Sequence, residues 1–350
     1  MPRFKLIIHL GLLLVLIPGL FIPGCGNARE NAAPVPKEPL VTHLFTADPS
    51  AHVFEDKLYI YPSHDIYTTV RPDMWGSQYD MKDYHVFSIV DFSTPVTDHG
   101  EVLNVRDVPW AKKQMWAPDA AFKNGRYYLY FPAHDKEGIF RIGVASSDRP
   151  SGPFTPQPEP MAGSFSIDPA VFVDDDGRAY MYFGGLMGGQ LERWRTGTYR
   201  EDSGEPEDRA LGPRMARLSE DMLSFDGPVR EAVILDEDGG PVQAEQSEKC
   251  FFEASWMHKY RGAYYLSYST GYTHLLVYAT ADNPLGPFTY RGCILTPVSG
   301  WTTHHSIVEF KGKWYLFYHD DSLSGRDNQR CIKYQELHYT DTGDIVTMDP

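Results

Sequence analysis

Apolar positions along this chain come in short runs, and after the first two dozen residues no stretch sustains the three-to-four-residue spacing of an amphipathic helix. Aromatic and β-branched runs bounded by Gly, Asp, Asn and Pro recur instead, which is the pattern of strands joined by turns. An all-β chain is predicted. One unit, a turn followed by an aromatic-rich strand, appears five times: Asp56-Lys-Leu-Tyr-Ile-Tyr61, Gly125-Arg-Tyr-Tyr-Leu-Tyr130, Gly177-Arg-Ala-Tyr-Met-Tyr182, Gly262-Ala-Tyr-Tyr-Leu-Ser267 and Gly312-Lys-Trp-Tyr-Leu-Phe317.

A second element repeats twice. Ala145-Ser-Ser-Asp-Arg-Pro-Ser-Gly-Pro-Phe154 and Ala279-Thr-Ala-Asp-Asn-Pro-Leu-Gly-Pro-Phe288 share Ala, Asp, Pro, Gly, Pro and Phe at the same offsets. Successive turns lie 50 to 85 residues apart, room for a four-stranded antiparallel sheet with its loops. Such a sheet is a propeller blade, and five of them use up the chain. A two-sheet sandwich would leave the five copies unexplained. The predicted fold is therefore a five-bladed β-propeller over residues 43–350.

At the start of the strand preceding each turn stands a polar residue: Asp48, Asp119, Asp168, Glu253 and His304. Each lies 9 to 12 residues before the aligned tyrosine of its repeat (Tyr59, Tyr128, Tyr180, Tyr265, Tyr315), so the register is shared. The first strand of a propeller blade lines the axis, and equivalent starts converge on one mouth of the channel. Carboxyls crowded there repel and raise one another's pKa. Two uses fit: an acid and a base kept in different protonation states, as in glycoside hydrolysis, or ligation of a hard cation such as calcium. Taken singly, Asp48 and Asp168 before proline would read as turn residues; the shared register argues otherwise.

Composition narrows the partners. Residues 1–24 read as an export signal, with Arg3 and Lys5 ahead of an apolar run that ends at Pro23-Gly24-Cys25; Cys25 is the expected lipidation site of a membrane-anchored bacterial lipoprotein. Residues 25–42, rich in Pro and small side chains, read as a tether. Loss of residues 1–24 takes the 32 basic residues to 30 against 47 acidic, a net charge of -17. That excludes nucleic acid as a natural partner. Cys250, Cys293 and Cys331 allow at most one disulfide. Phe, Trp and Tyr make up 14% of the chain, and Trp116 and Trp301, near the polar starts, are candidate platforms for the flat C–H face of a sugar.

The stretches Ala47-Asp-Pro-Ser-Ala-His-Val-Phe54, Met115-Trp-Ala-Pro-Asp119, Ser166-Ile-Asp-Pro-Ala-Val-Phe172, Phe252-Glu-Ala-Ser255 and His304-His-Ser-Ile-Val-Glu-Phe-Lys-Gly-Lys-Trp-Tyr-Leu-Phe-Tyr318 resemble glycoside hydrolase family 43. The resemblance implies an inverting mechanism, with Asp48 as general base, Glu253 as general acid and Asp168 tuning the acid. Inversion needs the two reacting carboxyls roughly 6.5–9.5 Å apart, with water between. It also implies a role for His304 at an axial calcium ion, and for Arg330 in substrate binding. Trp116, Asp119, His305 and Trp301 complete the expected substrate contacts. The C-terminal β-sandwich of many family xylosidases is not expected here, and the stretch from Glu192 to Leu223 reads as a solvated excursion or as a shaper of the pocket rim.

A monomeric, exo-acting hydrolase is expected, releasing terminal xylose or L-arabinofuranose from plant cell-wall oligosaccharides, with no organic cofactor. An endo-arabinanase of the same fold and a non-catalytic glycan-binding propeller are the competing readings. A phosphatase or nuclease lacks the basic residues for phosphate.

Overall fold

A computed structural model describes residues 37–202, 208–301 and 303–350; the export signal and Cys25 lie outside them. Among the described residues helix is confined to three short 3-10 turns, and the rest of the regular structure is five small sheets, antiparallel but for one edge strand. Blade one is β1 (Phe45–Phe54), β2 (Lys57–Asp65), β3 (Asp83–Ile89) and β4 (Thr97–Asn104). Blade two is β5 (Asp119–Lys123), β6 (Arg126–His134), β7 (Phe140–Ser147) and β8 (Thr155–Pro156). Blade three is β9 (Ala170–Val173), β10 (Ala179–Phe183), β11 (Arg214–Arg217) and β12 (Arg230–Glu231). In blade four, β14 (Glu253–Tyr260), β15 (Ala263–Ser269), β16 (Leu276–Ala281) and β17 (Phe288–Leu295) carry β13 (Ile234–Leu235) in parallel on the β17 edge. Blade five is β18 (His305–Phe310), β19 (Lys313–Asp320) and β20 (Cys331–Leu337).

The first strands of the blades, β1, β5, β9, β14 and β18, touch in order, and β18 returns to β1. This is the five-bladed propeller that the repeats predict. The ring closes through the main chain: the Leu40 N–H donates to the Ile332 carbonyl at 2.7 Å and the Thr46 N–H to the Arg330 carbonyl at 2.9 Å. Val41 is buried with Phe317 and Ile332. The folded unit thus begins ahead of residue 43, and residues 37–42 belong to it rather than to a tether. All three described cysteines are free thiols.

The twice-repeated element is an inter-blade clip. Tyr61 of blade one donates its hydroxyl to the Pro150 carbonyl of blade two at 2.7 Å, and Tyr182 of blade three donates to the Pro284 carbonyl of blade four at 2.5 Å. The closing Phe repeats the exchange through its backbone: the Phe154 N–H donates to the Val102 carbonyl and the Phe288 N–H to the Val233 carbonyl. Each copy therefore satisfies a buried Tyr hydroxyl and ties its blade to the preceding segment.

Asp119 does comparable work at the axis. Its buried carboxyl accepts from Ser50, from Nε2 of His52 at 2.6 Å, from the Ala120 N–H at 2.7 Å and from the Val171 N–H at 2.5 Å, joining blades one, two and three. Removing it strands several buried donors, each worth about 1–3 kcal/mol. Asp119→Ala is accordingly expected to lose about 3 kcal/mol or more of unfolding free energy, read from denaturant midpoints; a change within error would refute this structural role.

Candidate active site

Local backbone geometry aims the carboxyls. The β1–β2 register slips between Ala47 and Ser50, and the β14–β15 register slips between Glu253 and Trp256. Such bulges turn a side chain away from the regular pleat. Three residues at these strand starts adopt left-handed backbone: Asp48 (φ 50°), Asp168 (φ 57°) and Ala254 (φ 65°). Asp tolerates this region better than most residues, whereas for Ala254 the strain is of order 1–2 kcal/mol. Tertiary packing supports it where the sequence alone would not.

Asp48, Asp168 and Glu253 line one cavity of about 290 Å³, together with His304 and Arg330. Asp48 is the most tightly held. Its carboxylate accepts from the Ser63 hydroxyl at 2.6 Å and from Arg330 Nη1 at 3.0 Å, while its own N–H donates to Nδ1 of His319 at 3.0 Å. That last bond requires a neutral His319, and burial, followed by the adjacent Arg330, pushes this imidazole down to about 4. Burial alone would raise the Asp48 carboxyl, but Arg330 foremost, with His304, holds it far below the usual carboxylate range.

Arg330 is fixed in turn by Asp65, which accepts from Nε at 2.8 Å, from Nη2 at 2.9 Å and from the Arg330 backbone N–H at 2.9 Å. Its guanidinium lies 5.0 Å from the centre of the Tyr79 ring. The Asp168 carboxyl behaves oppositely to Asp48. Burial raises its pKa most, His304 opposes, Glu253 and Asp48 add to the rise, and the Ala254 N–H at 3.0 Å bonds to it in compensation. His304, 3.7 Å from Asp48 through Nδ1, is disfavoured as a cation by burial, yet the Asp168 and Asp48 carboxyls raise its pKa overall. One site thus holds a carboxylate kept ionised and a second carboxyl driven toward the neutral form, the division of labour that acid–base chemistry needs.

The aromatic walls are Trp116 and Trp301. Trp116 is pinned through its indole N–H to the Tyr79 carbonyl at 2.8 Å. A Cβ at Gly76 would come within 2.9 Å of the Trp116 ring, so the residue 73–78 loop needs glycine there to close on it. Trp301 is 45% exposed at the rim, edge-on to Phe252 and His274.

Two expected substrate contacts are placed elsewhere. Asp119 does not line the cavity, and its carboxyl is fully engaged between blades. His305 is buried, bonded through Nε2 to Ser267 at 2.6 Å, and Nδ1 has no hydrogen-bond partner. It is His304, expected at the metal, that faces the cavity; neighbouring residues at a strand start point to opposite sides. The stretch from Glu192 is likewise no simple solvated excursion. Trp194, Leu211, Met215 and Met222 are buried, and β11 lies within it. Arg193 stacks 4.9 Å from Trp75 in the 73–78 loop, which ties the stretch to the pocket rim.

Sequence reasoning missed Ser63, Asp65, His319 and Tyr79. Ser63 and Asp65 sit at i and i+2 on one face of β2, a polar pair ending an aromatic strand, which is the signal that could have found them. His319 ends β19 in the same manner.

A model of glycosyl hydrolases family 43 matches residues 37–344. The chain is 62% identical over 325 residues to xylosidase/arabinosidase 43A of Humicola insolens, covering 89% of this chain and 99% of the relative. It is 56% identical over 317 residues to a xylosidase/arabinosidase of Bacteroides ovatus, covering 89% and 98%. Among solved structures, a family 43 β-xylosidase/α-arabinofuranosidase from a compost microbial metagenome, in complex with xylotriose, superposes with a TM-score of 0.88 at 61% identity, covering 90% and 97%. Its fold, its cavity and these likenesses together make the chain a glycoside hydrolase belonging to glycosyl hydrolase family 43.

Proposed function

We propose that the enzyme releases terminal xylose or L-arabinofuranose from plant cell-wall oligosaccharides with inversion at the anomeric carbon. Asp48 is the base that takes the proton of the attacking water, Glu253 the acid that protonates the departing oxygen, and Asp168 the carboxyl that positions and tunes the acid. The observation that carries this reading is the convergence of three carboxyls on one cavity: Arg330 holds Asp48 ionised, while Asp168 and Glu253 repel each other as anions, so that pair favours one shared proton, which Glu253 can deliver. A base must begin ionised and an acid protonated at the same pH. The cavity volume is near the lower limit for small-ligand sites, about 300 Å³, which suits a single terminal sugar.

The test is a panel of nitrophenyl glycosides with the first-formed anomer followed by NMR. A β-xyloside should give α-xylose first; β-xylose first would overturn the assignment of Asp48 as base. Internal cleavage of linear arabinan would replace exo action by endo action. Arg330→Met is expected to move the acid limb of the kcat/KM profile to higher pH, because the Asp48 carboxyl loses the guanidinium that keeps it ionised. A limb that stays put would mean that another group titrates.

The calcium expectation was tested against the donors present. Among the described residues, His304 and the cavity carboxyls do not bring three ligand atoms within 4.8 Å of one another, so they form no direct cage. The orphaned Nδ1 of His305 offers at most one contact to such an ion, whose preferred oxygen ligands would have to be waters: burial keeps this ring neutral, as a ligand must be, and Ser267 on Nε2 would fix its tautomer. A hydrated calcium ion held there would supply positive charge near the start of β18. Calcium should then raise the melting temperature of the enzyme but not of His305→Ala; an equal rise in both would remove His305 from the site.

Export and acylation at Cys25 complete the proposal, resting on the apolar run before Pro23-Gly24-Cys25. Labelled fatty acid should enter the protein and be lost in Cys25→Ser; labelling that persists in the variant excludes Cys25 as the acceptor.

A further inference from the structure

Away from the axis, blade one carries a cluster that the hydrolytic site does not use. His64 on β2 and Asp83 and His85 on β3 each offer a ligand atom, and these atoms lie within 4.8 Å of one another. The β2–β3 ladder pairs Leu58 with Ile89 and Ile60 with Phe87, and continuing that register sets Asp83 opposite His64, with His85 two residues along on the same face. Nδ1 of His64 is 2.5 Å from Asp83 Oδ1, and the two imidazole rings stand edge-on with centres 5.0 Å apart. The three side chains are 15–17% exposed, sheltered yet open to an entering ion.

We propose that His64, Asp83 and His85 form a binding site for a divalent transition-metal cation of the zinc class. Two imidazoles and one carboxylate are the ligand set of zinc sites that keep a fourth position for water, and a single oxygen donor argues against calcium or magnesium. A hydrogen-bonded pair would need only His64 and Asp83. The third ligand has its own support: Asp98 lies 3.3 Å from Nδ1 of His85 and also bonds Nε2 of His43 at 2.8 Å. A carboxylate behind a ligating imidazole is the arrangement that fixes ring orientation in metal sites. Zinc–ligand bonds of about 2.0–2.2 Å set ligand atoms further apart than 2.5 Å, so the ion enters by replacing the proton between His64 and Asp83 and spreading them slightly. His64 lies between Ser63, which bonds Asp48, and Asp65, which holds Arg330. An ion here would bear on the strand end that sets the base.

Zinc chloride titrated calorimetrically into the full-length, chelator-treated protein tests the site. One equivalent is expected, with affinity lowered at least tenfold in His85→Gln and by about 10–100-fold in Asp98→Asn, while His305→Ala binds as the parent does. Near-UV circular dichroism confirms that each variant is folded. Absence of stoichiometric binding, or binding unchanged in His85→Gln and lost in His305→Ala, would overturn the proposal.

Discussion

Replacing Glu253 with alanine is expected to lower kcat on xylobiose by about 10²–10⁴-fold, the usual contribution of a positioned general acid. The loss should be far smaller on an aryl xyloside whose phenolate departs without a proton, because only the protonation of the leaving oxygen is removed. Comparing kcat on the two substrates checks it. Equal losses would mean that Glu253 serves the fold or ground-state binding, and a near-unchanged enzyme would favour a glycan-binding propeller with incidental activity. Glu253 opens β14 at a bulge, and a Cβ at Gly185 would come within 3.2 Å of its own Cβ, so the side chain is set in a tight seat.

Asp48→Ala is expected to lose a comparable factor, about 10²–10⁴-fold, but on both substrates alike, because attack by water is common to them. Azide in the cleared space needs no base: its nitrogen forms the bond to the anomeric carbon as the leaving oxygen takes the proton of Glu253. Activity should therefore partly return, with a glycosyl azide of inverted configuration as product. No rescue and no product azide would remove Asp48 from the attacking side. Arg330 in this variant keeps its bonds to Asp65, so the cation is not left unpaired.

The fold was legible because the repeat is written in side chains that must be buried: Tyr61, Tyr130, Tyr182 and Phe317 recur at one register and all reach the interior. The site was legible for a related reason, since Asp48, Asp168 and Glu253 occupy equivalent strand starts. Asp119 shares that register yet turns away from the cavity, because its direction depends on local backbone: a register slip at Asp48 and Glu253, or a left-handed φ at Asp168. Asp48 and Glu253 stand at such slips, whereas β5 runs in regular register from Asp119. Of the adjacent His304 and His305 only His304 lines the cavity, a one-residue choice that the sequence leaves open. Asp65 and His319 act through partners far away in sequence, a pairing that a lone sequence does not display.

The seam between Leu40, Thr46 and β20 has a consequence for biogenesis. Its two halves are separated by nearly the whole chain, so the ring cannot shut until blade five has left the ribosome. Until then Leu40, Val41 and Leu44 remain an unsatisfied sticky edge at the leading end of the nascent protein, the segment that a holding chaperone would need to shield.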